Sequence, residues 1–333
     1  MEWLDGGDLL QEKPKPIDWF LEDLLPLGTI GDVFSPPGSG KSTILTTLML
    51  VVAAGQGRWF GKTCVGGPVL VLGGEKSSRD VWVRDLHRAA GSEVFEIDPG
   101  RLLIAPPALG PLFRWNPREG KWQEGQGYDG AMRRASDLKP ALTIIDTSGR
   151  AASGQDPISI SQQQALAERI EDLGREVGGT LLTVSHTSQA SGSEDLHQRL
   201  HYISRAGSNG IPGHFRWLMG MTLLNPKEVT SLTGILEDDG SRRQIIAIAI
   251  SKHNEMPKPR GWNRHDPAVF EILPDGSVVA IAKKPWEPQQ EPPQKRQRTK
   301  RGLGNLVGVG ADEFDKKLSS APPSEDEDLS WLK

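Results

Sequence analysis

The stretch Phe34-Ser35-Pro36-Pro37-Gly38-Ser39-Gly40-Lys41-Ser42-Thr43 decides how this chain is read. An apolar run, Leu27 to Phe34, precedes it, and a helical-looking run, Ser42 to Ala54, follows, so a glycine-rich turn joins a strand to a helix. Such a turn cradles phosphate. Gly38 and Gly40 let backbone N–H groups converge on a polyphosphate at the helix N-terminus, Lys41 neutralises the β/γ oxygens, and the Ser42 hydroxyl holds Mg²⁺. The expected nucleotide-binding residues are Pro37, Gly38, Ser39, Gly40, Lys41, Ser42 and Thr43. Ser35 stands where the pattern has glycine, which matters only if that position needs a φ that serine cannot reach. An ordinary Gly/Ser/Pro turn is the competing reading, but it requires the Gly-x-Gly-Lys-Ser core and the strand-to-helix setting to coincide by chance.

Around this turn, 333 residues at 36% hydrophobic suffice for one large α/β domain or two small ones. The single cysteine, Cys64, excludes an internal disulfide. The charged start Met1-Glu2-Trp3-Leu4-Asp5 lacks signal-peptide form, and no apolar run approaches the ~20 residues of a membrane span, so the expected location is the cytoplasm. A formal net charge of −4 argues against wholesale attraction to nucleic acid; a DNA site would have to be a local patch.

Downstream, Ile44, Leu45, Leu48, Val51 and Val52 recur at helical spacing, and Gly55-Gln56-Gly57 stops that helix. Pro68 to Gly73 is a short unbroken apolar run of the kind that forms a buried parallel strand, Ala141 to Asp146 is a second buried-strand candidate, and Thr180 to Ser185 is a further strand that ends at His186. Val81 to Ala90 and Ser159 to Val177 read as helices, the latter with Ile160, Leu166, Ile170 and Leu173 inward. Leu112 to Trp115 and Lys121 to Gln123 suggest a hairpin, and Arg101 to Ala105 a further strand. Alternating strand and helix imply a right-handed parallel sheet with ligands at the strand C-termini. Phe215 to Leu224, Arg243 to Ser251 and Ala268 to Leu273 read as strands joined by connections too short for helices, a mostly antiparallel extension. From Lys284 onward Pro, Gln and charged residues dominate, so 284–333 reads as a disordered tail after a lead of 1–16 and a domain of 17–283.

Nucleotide hydrolysis needs a carboxylate for Mg²⁺, a second to orient the attacking water, and a γ-phosphate sensor. Asp146, ending an apolar strand, suits the first; Glu75, after the neighbouring strand, suits the second; His186, with Ser185, suits the third. Each could instead be a turn cap or solvated loop group. His197 and His201 sit at i, i+4 spacing, but no cysteine pair or HExxH arrangement accompanies them, and zinc is not supported.

These residues resemble the RecA-like core of hexameric replicative helicases, and within it the RepA-like ATPases of plasmids and phages. The resemblance runs from about Ile17 to Asn254 and is carried by Ile17-Asp18-Trp19 before Leu24 to Gly28, by the cradle, by Val69 to Glu75 and by Leu142 to Thr147. Val184 to Thr187, Ala206 to Gly210 with Arg216-Trp217, and Ser251 to Asn254 extend it. It implies a RecA-like fold and ATP with Mg²⁺. Glu75 would be the base, Asp146 the metal carboxylate and His186 the sensor, with Arg216 and Lys252 reaching a neighbouring subunit's nucleotide. It also implies a homo-hexamer acting on single-stranded DNA, without a membrane. The cradle lacks the usual preceding arginine-glycine and following alanine, and Asn254 stands where such helicases often carry arginine.

In RecA-like rings DNA is met by channel-facing loops, for which Ser148 to Asp156 and Ser188 to Ser204 are the candidates, with Arg150, Arg199, His201 and Arg205 as phosphate partners. The tail offers a basic run, Lys295 to Arg301, and an acidic end, Glu325 to Asp328 before Leu329 to Leu332, that could tether DNA or dock a replication or recombination partner. Two functions of different class fit: a ring-forming DNA motor, and a nucleotide-switched loader, recombination mediator or regulator that does not unwind. A metabolite kinase is disfavoured because no lid or acceptor pocket can be pointed to.

Overall fold

A run of apolar residues without alternation can be satisfied only if both faces of its strand are covered, and the computed structural model shows how this chain does so. It describes residues 4–73, 78–154, 159–187, 195–204, 214–235, 243–254 and 261–284. The chain divides into two units, Met1–Trp286 and Glu287–Lys333, and the second lies outside the described residues.

Among the described residues the main sheet has nine strands: β1 Ile30–Ser35, β2 Val69–Leu72, β3 Leu102–Ile104, β4 Leu142–Asp146, β5 Thr180–His186, β6 Trp217–Leu223, β7 Gln244–His253, β8 Ala268–Ile272 and β9 Val278–Ala280. Their order is β9-β8-β7-β6-β1-β5-β4-β2-β3. From β6 to β3 every neighbouring pair is parallel, and β6 to β9 are joined antiparallel. This is the mostly parallel sheet with antiparallel C-terminal strands that the sequence implies.

Successive residues of each central strand enter opposite cores, as a two-residue side-chain period demands. Val33, Val71, Ile144, Val184 and Met219 join one cluster; their neighbours Phe34, Leu72, Ile145 and Leu218 join the other. Helix α1 (Lys41–Ala54) packs in the first cluster, with Trp82 of α2 (Arg79–Ala90). Helices α3 (Tyr128–Leu138) and α4 (Ile160–Val177) supply Ala131, Ala135, Leu166, Ile170 and Leu173 to the second. The result is helix, sheet, helix in three layers. No helix among the described residues is long and apolar enough to cross a membrane.

The expected hairpin forms between Phe113–Asn116 and Lys121–Glu124, and Ser159 caps α4 through a hydrogen bond from Gln162 N–H. Three details differ from the sequence reading. Ile160 is 57% exposed, because the first residue of α4 precedes the turn that meets the sheet. Helix α3 was not expected, its apolar face being made largely of alanine. A further helix, α5 (Pro226–Thr233), occupies a connection taken as too short for one. Its start was written in the sequence: Asn225 accepts from Glu228 N–H at 3.0 Å, Glu228 accepts from Asn225 N–H at 2.9 Å, and Pro226 is the first helical residue.

Candidate functional site: a phosphate cradle at the strand ends

Between β1 and α1 the backbone turns through Gly38 and Gly40, both left-handed at φ 74° and 81°. Gly40 must remain glycine for a second reason: a Cβ there would lie 2.2 Å from Ile272 Cδ1, so the turn is seated directly on the end of β8. Ser35, where the usual pattern has glycine, is the last residue of β1 and lies among no positive-φ residues, so serine sits there without strain. No side chain caps α1, which leaves its first N–H groups facing the turn. The Ser39 hydroxyl, in a residue 1% exposed, is buried with no hydrogen-bond partner. Orphaned donors at a helix N-terminus are what an oxygen-rich anion satisfies.

The lysine already points into a polar cluster. Lys41, 6% exposed, donates from Nζ to Ser185 O at 2.8 Å, and Nζ lies 3.4 Å from His186 Nδ1. Register places Ser35 opposite His186, and Val184 opposite Asp146, so the cradle, sensor and carboxylate candidates share the C-terminal edge of the parallel strands. Asp146 is 6% exposed. Gly73, at the end of β2, fits against it closely: a Cβ there would lie 3.0 Å from Asp146 O. The chain therefore leaves β2 beside Asp146, but Glu75 itself lies outside the described residues.

One member of the site escaped the sequence reading. Asp32, fully buried in β1, accepts hydrogen bonds from Thr183 Oγ1 and Ser185 Oγ, each at 2.6 Å. It thus ties β1 to the strand whose end holds Lys41. The available signal was a lone charge within Ile30-Gly31-Asp32-Val33-Phe34, since a charge inside a buried strand requires partners.

Arg216 and Lys252 lie at the other end of the sheet. Arg216 N–H donates to Ile30 O, the first residue of β1, whereas the cradle departs from Ser35, the last; at ~3.4 Å per residue the two ends are about 17 Å apart along the strand. Lys252 pairs with Leu218 across β6 and β7 and donates to Phe215 O at 2.9 Å. Burial, and then the neighbouring Arg216 guanidinium, lower its pKa. These two cations are brought together with each other, and not with their own chain's cradle.

Of the expected DNA contacts, Arg150 is exposed on the short helix Ser148–Ala151. Arg199 is engaged otherwise: its Nη2 donates to both Glu228 carboxylate oxygens at 2.5 Å, and Nη1 to Leu223 O at 2.9 Å. His201 Nδ1 accepts from Ile203 N–H at 3.2 Å and its ring stacks near Tyr202; Arg205 lies outside the described residues. His197 Nδ1 is 2.7 Å from Arg264 O, with its ring beside that of His265.

A phosphate cradle between the first strand and helix of a parallel sheet, with an acidic strand end beside it, defines a P-loop ATPase of the RecA-like class. The chain belongs to the AAA_25 family, an AAA domain, whose model matches residues 2–192. Its fold is shared with the ATPase domain of G40P, at a TM-score of 0.52 and 13% identity over 76% of this chain and 85% of that one. A DnaB-like replicative helicase, described together with its interactions with primase, aligns at a TM-score of 0.52 and 12% identity over 76% of this chain; the alignment spans 57% of the helicase. For the metal that such ATPases use, Ser42 at the start of α1 and the carboxylate of Asp146 are hard oxygen donors of the type Mg²⁺ takes, and the orphaned Ser39 hydroxyl fits an anion beside it.

Proposed function

We propose that this chain is a Mg²⁺-dependent ATP hydrolase that assembles head to tail as a ring, a homo-hexamer by its resemblance, and works as a motor on single-stranded DNA. Lys41 offsets charge on the β/γ-phosphates, Ser42 and Asp146 hold the ion, Glu75 orients and deprotonates the attacking water, and His186 contacts the γ-phosphate. When bound, Mg²⁺ neutralises charge on the β- and γ-oxygens. The observation that carries the ring is the separation of charge along the sheet: Arg216 meets β1 about 17 Å from the cradle, and Lys252 reaches back beside it, its Nζ donating to Phe215 O. Two adjacent cations favour an anion, and the γ-phosphate of a neighbouring copy would provide it. A cation supplied in trans contributes 10³–10⁵ to phosphoryl transfer.

Mixing two inactive variants tests this reading. Arg216→Ala retains the cradle and Lys41→Ala retains Arg216, so a mixed ring contains interfaces that pair an intact cradle with an intact cation. ATPase activity should return on mixing. Full activity of Arg216→Ala alone, or a monomeric mass with a non-hydrolysable ATP analogue and single-stranded DNA both present, overturns the ring.

A switch that binds nucleotide without unwinding is the second reading, favoured by the net charge of −4 and by the engagement of Arg199 with Glu228 rather than with solvent. Steady-state turnover separates the two: stimulation by single-stranded DNA supports the motor, and indifference to it supports the switch. In either case the charged run from Lys295 and the acidic end at Glu325 to Asp328 offer a docking segment for a replication or recombination partner.

A further inference from the structure

Beyond Asp146, Thr147 and the short helix Ser148–Ala151 bring the chain alongside the hairpin of Phe113–Asn116 and Lys121–Glu124. There Ala152 pairs with Phe113, and Ser153 with Arg114, in parallel register. Leu112 N–H donates to Ala151 O at 2.8 Å, and Ser153 Oγ to Phe113 O at 3.4 Å. Hairpin and returning segment thus form a three-stranded sheet that one short helix separates from Asp146.

The two faces of this small sheet differ in chemistry, as alternation along a strand allows. Phe113 and Trp122 are buried in the second cluster with Trp115 packed against it, and Trp122 Nε1 donates to Gln162 O at 2.9 Å. Register puts Arg114, Asn116, Lys121, Gln123 and Ser153 on the opposite face, with no aromatic ring among them. Glu119 Oε1 accepts from Asn116 Nδ2 at 3.1 Å and Gln123 Nε2 at 3.2 Å, and Arg118 N–H donates to Asn116 Oδ1 at 3.1 Å, which braces the tip. Both carboxylates of the hairpin already have cationic partners: Glu119 has Lys121 at 2.8 Å, and Glu124 has Arg169 at 3.8 Å. Arg114, Arg118 at the tip and Arg150 on the short helix are exposed, and they pair with no carboxylate among the described residues. This is the local patch that a chain of net charge −4 needs if it is to hold nucleic acid. Uncompensated guanidinium groups on a polar surface without aromatic rings meet a polyanion through its phosphates rather than its bases.

We propose that the outward face of this hairpin holds the sugar–phosphate backbone of single-stranded DNA, with Arg114 and Arg118 as phosphate partners beside Arg150. The inference rests on the motor reading above and adds to the loop from Ser148 a second element, the hairpin, that neither the spacing of residues nor the resemblance pointed to. Because Arg114 lies opposite Ser153 in register, loop and hairpin present their cations as one hydrogen-bonded unit. Phosphate contacts carry no sequence information, so oligo(dT) and oligo(dA) are held alike on this face.

The test titrates the full chain, with Mg²⁺ and a non-hydrolysable ATP analogue, with labelled oligo(dT) and oligo(dA) over a series of salt concentrations. The proteins are the wild type, the double variant Arg114→Gln with Arg118→Gln, Arg150→Gln, and Arg58→Gln as a charge control, each checked for a cooperative thermal transition. Arg58 is exposed and its neighbour Trp59 belongs to the first cluster, on the other side of the main sheet. The slope of log affinity against log salt should flatten by about 0.7 for each lost phosphate contact, hence by about 1.4 in the double variant and about 0.7 in Arg150→Gln, for both oligonucleotides. Arg58→Gln should keep the wild-type slope. An unchanged slope in the folded double variant overturns the inference and leaves the motor standing, and an equal flattening in Arg58→Gln overturns it as a general effect of charge. A peptide of residues 325–333 that binds the wild type and not the double variant, with DNA binding unaltered, gives the face to the acidic end of the chain and overturns it likewise. A wild type that binds neither oligonucleotide refutes the motor on single-stranded DNA, and this inference falls with it.

Discussion

The Asp32 carboxylate sits at the junction of stability and site geometry. Its two hydroxyl partners belong to β5, and the Ser185 that donates to it also offers the carbonyl that accepts from Lys41. Asp32→Asn keeps the shape but turns one oxygen into a donor facing a hydroxyl. It should cost about 1–3 kcal/mol in urea unfolding, the usual penalty for a buried group left mispaired. An unchanged midpoint would show that Asp32 is better hydrated than its burial implies. Cys64 gives an independent probe at this scale. Burial raises its thiol pKa to about 12, so at pH 8 almost none is thiolate, the form that reacts. The native chain should react with a disulfide reagent far more slowly than the urea-unfolded chain, whose thiol has its ordinary pKa; equal rates would place Cys64 at the surface.

Among the elements, the segment between Thr180 and Thr233 departs most from what the sequence suggested. Arg199, expected to meet DNA, bonds Glu228, and Glu228 also closes the cap of α5, so one carboxylate joins the short helix Leu196–Arg199 to α5. Arg199→Leu should therefore lower stability in urea unfolding by about 1.5–3 kcal/mol, as for a lost charged hydrogen bond, while the proposed single-stranded DNA binding stays unchanged. A loss of DNA binding at unaltered stability would restore the original role. The contrast explains what could be read from sequence. The strands β1, β2, β4 and β5 and the turn before α1 were legible because each is a local pattern: an apolar run, or glycines at a fixed offset from a lysine. Helix α3, the Arg199–Glu228 pair and the Asp32 network were not, because an alanine-lined helix face carries little periodic signal, and partners 29 residues or 151 residues apart meet only through the fold. The strand-end positions of Asp146 and His186 could be read from the ends of their runs, whereas the remoteness of Arg216 from the cradle depends on β6 lying beside β1, which no local pattern encodes.

For the whole molecule, Lys284 N–H donates to Leu232 O at 2.9 Å, so the described fold is tied down as far as that residue. A chain ending at Trp286 should keep both a cooperative thermal transition and basal ATPase activity, because the residues beyond it are rich in Pro, Gln and charge and poor in clustered apolar groups. A lost transition would assign the removed segment to the core.

Helix α1 buries Lys41 and then every residue from Ile44 to Ala53, leaving it no solvent face over that length. A close-packed helix of this kind cannot slide or roll without opening voids on one side and collisions on the other. If the cradle holds phosphates as proposed, the support beneath them is mechanically rigid, and a change in phosphate number cannot be absorbed by recoil of the helix. The compliant direction is sideways, through the contact that Lys41 makes with the end of β5. Loss of a phosphate would be felt first as a return of that lysine to Ser185, a displacement of one side chain across a fixed floor.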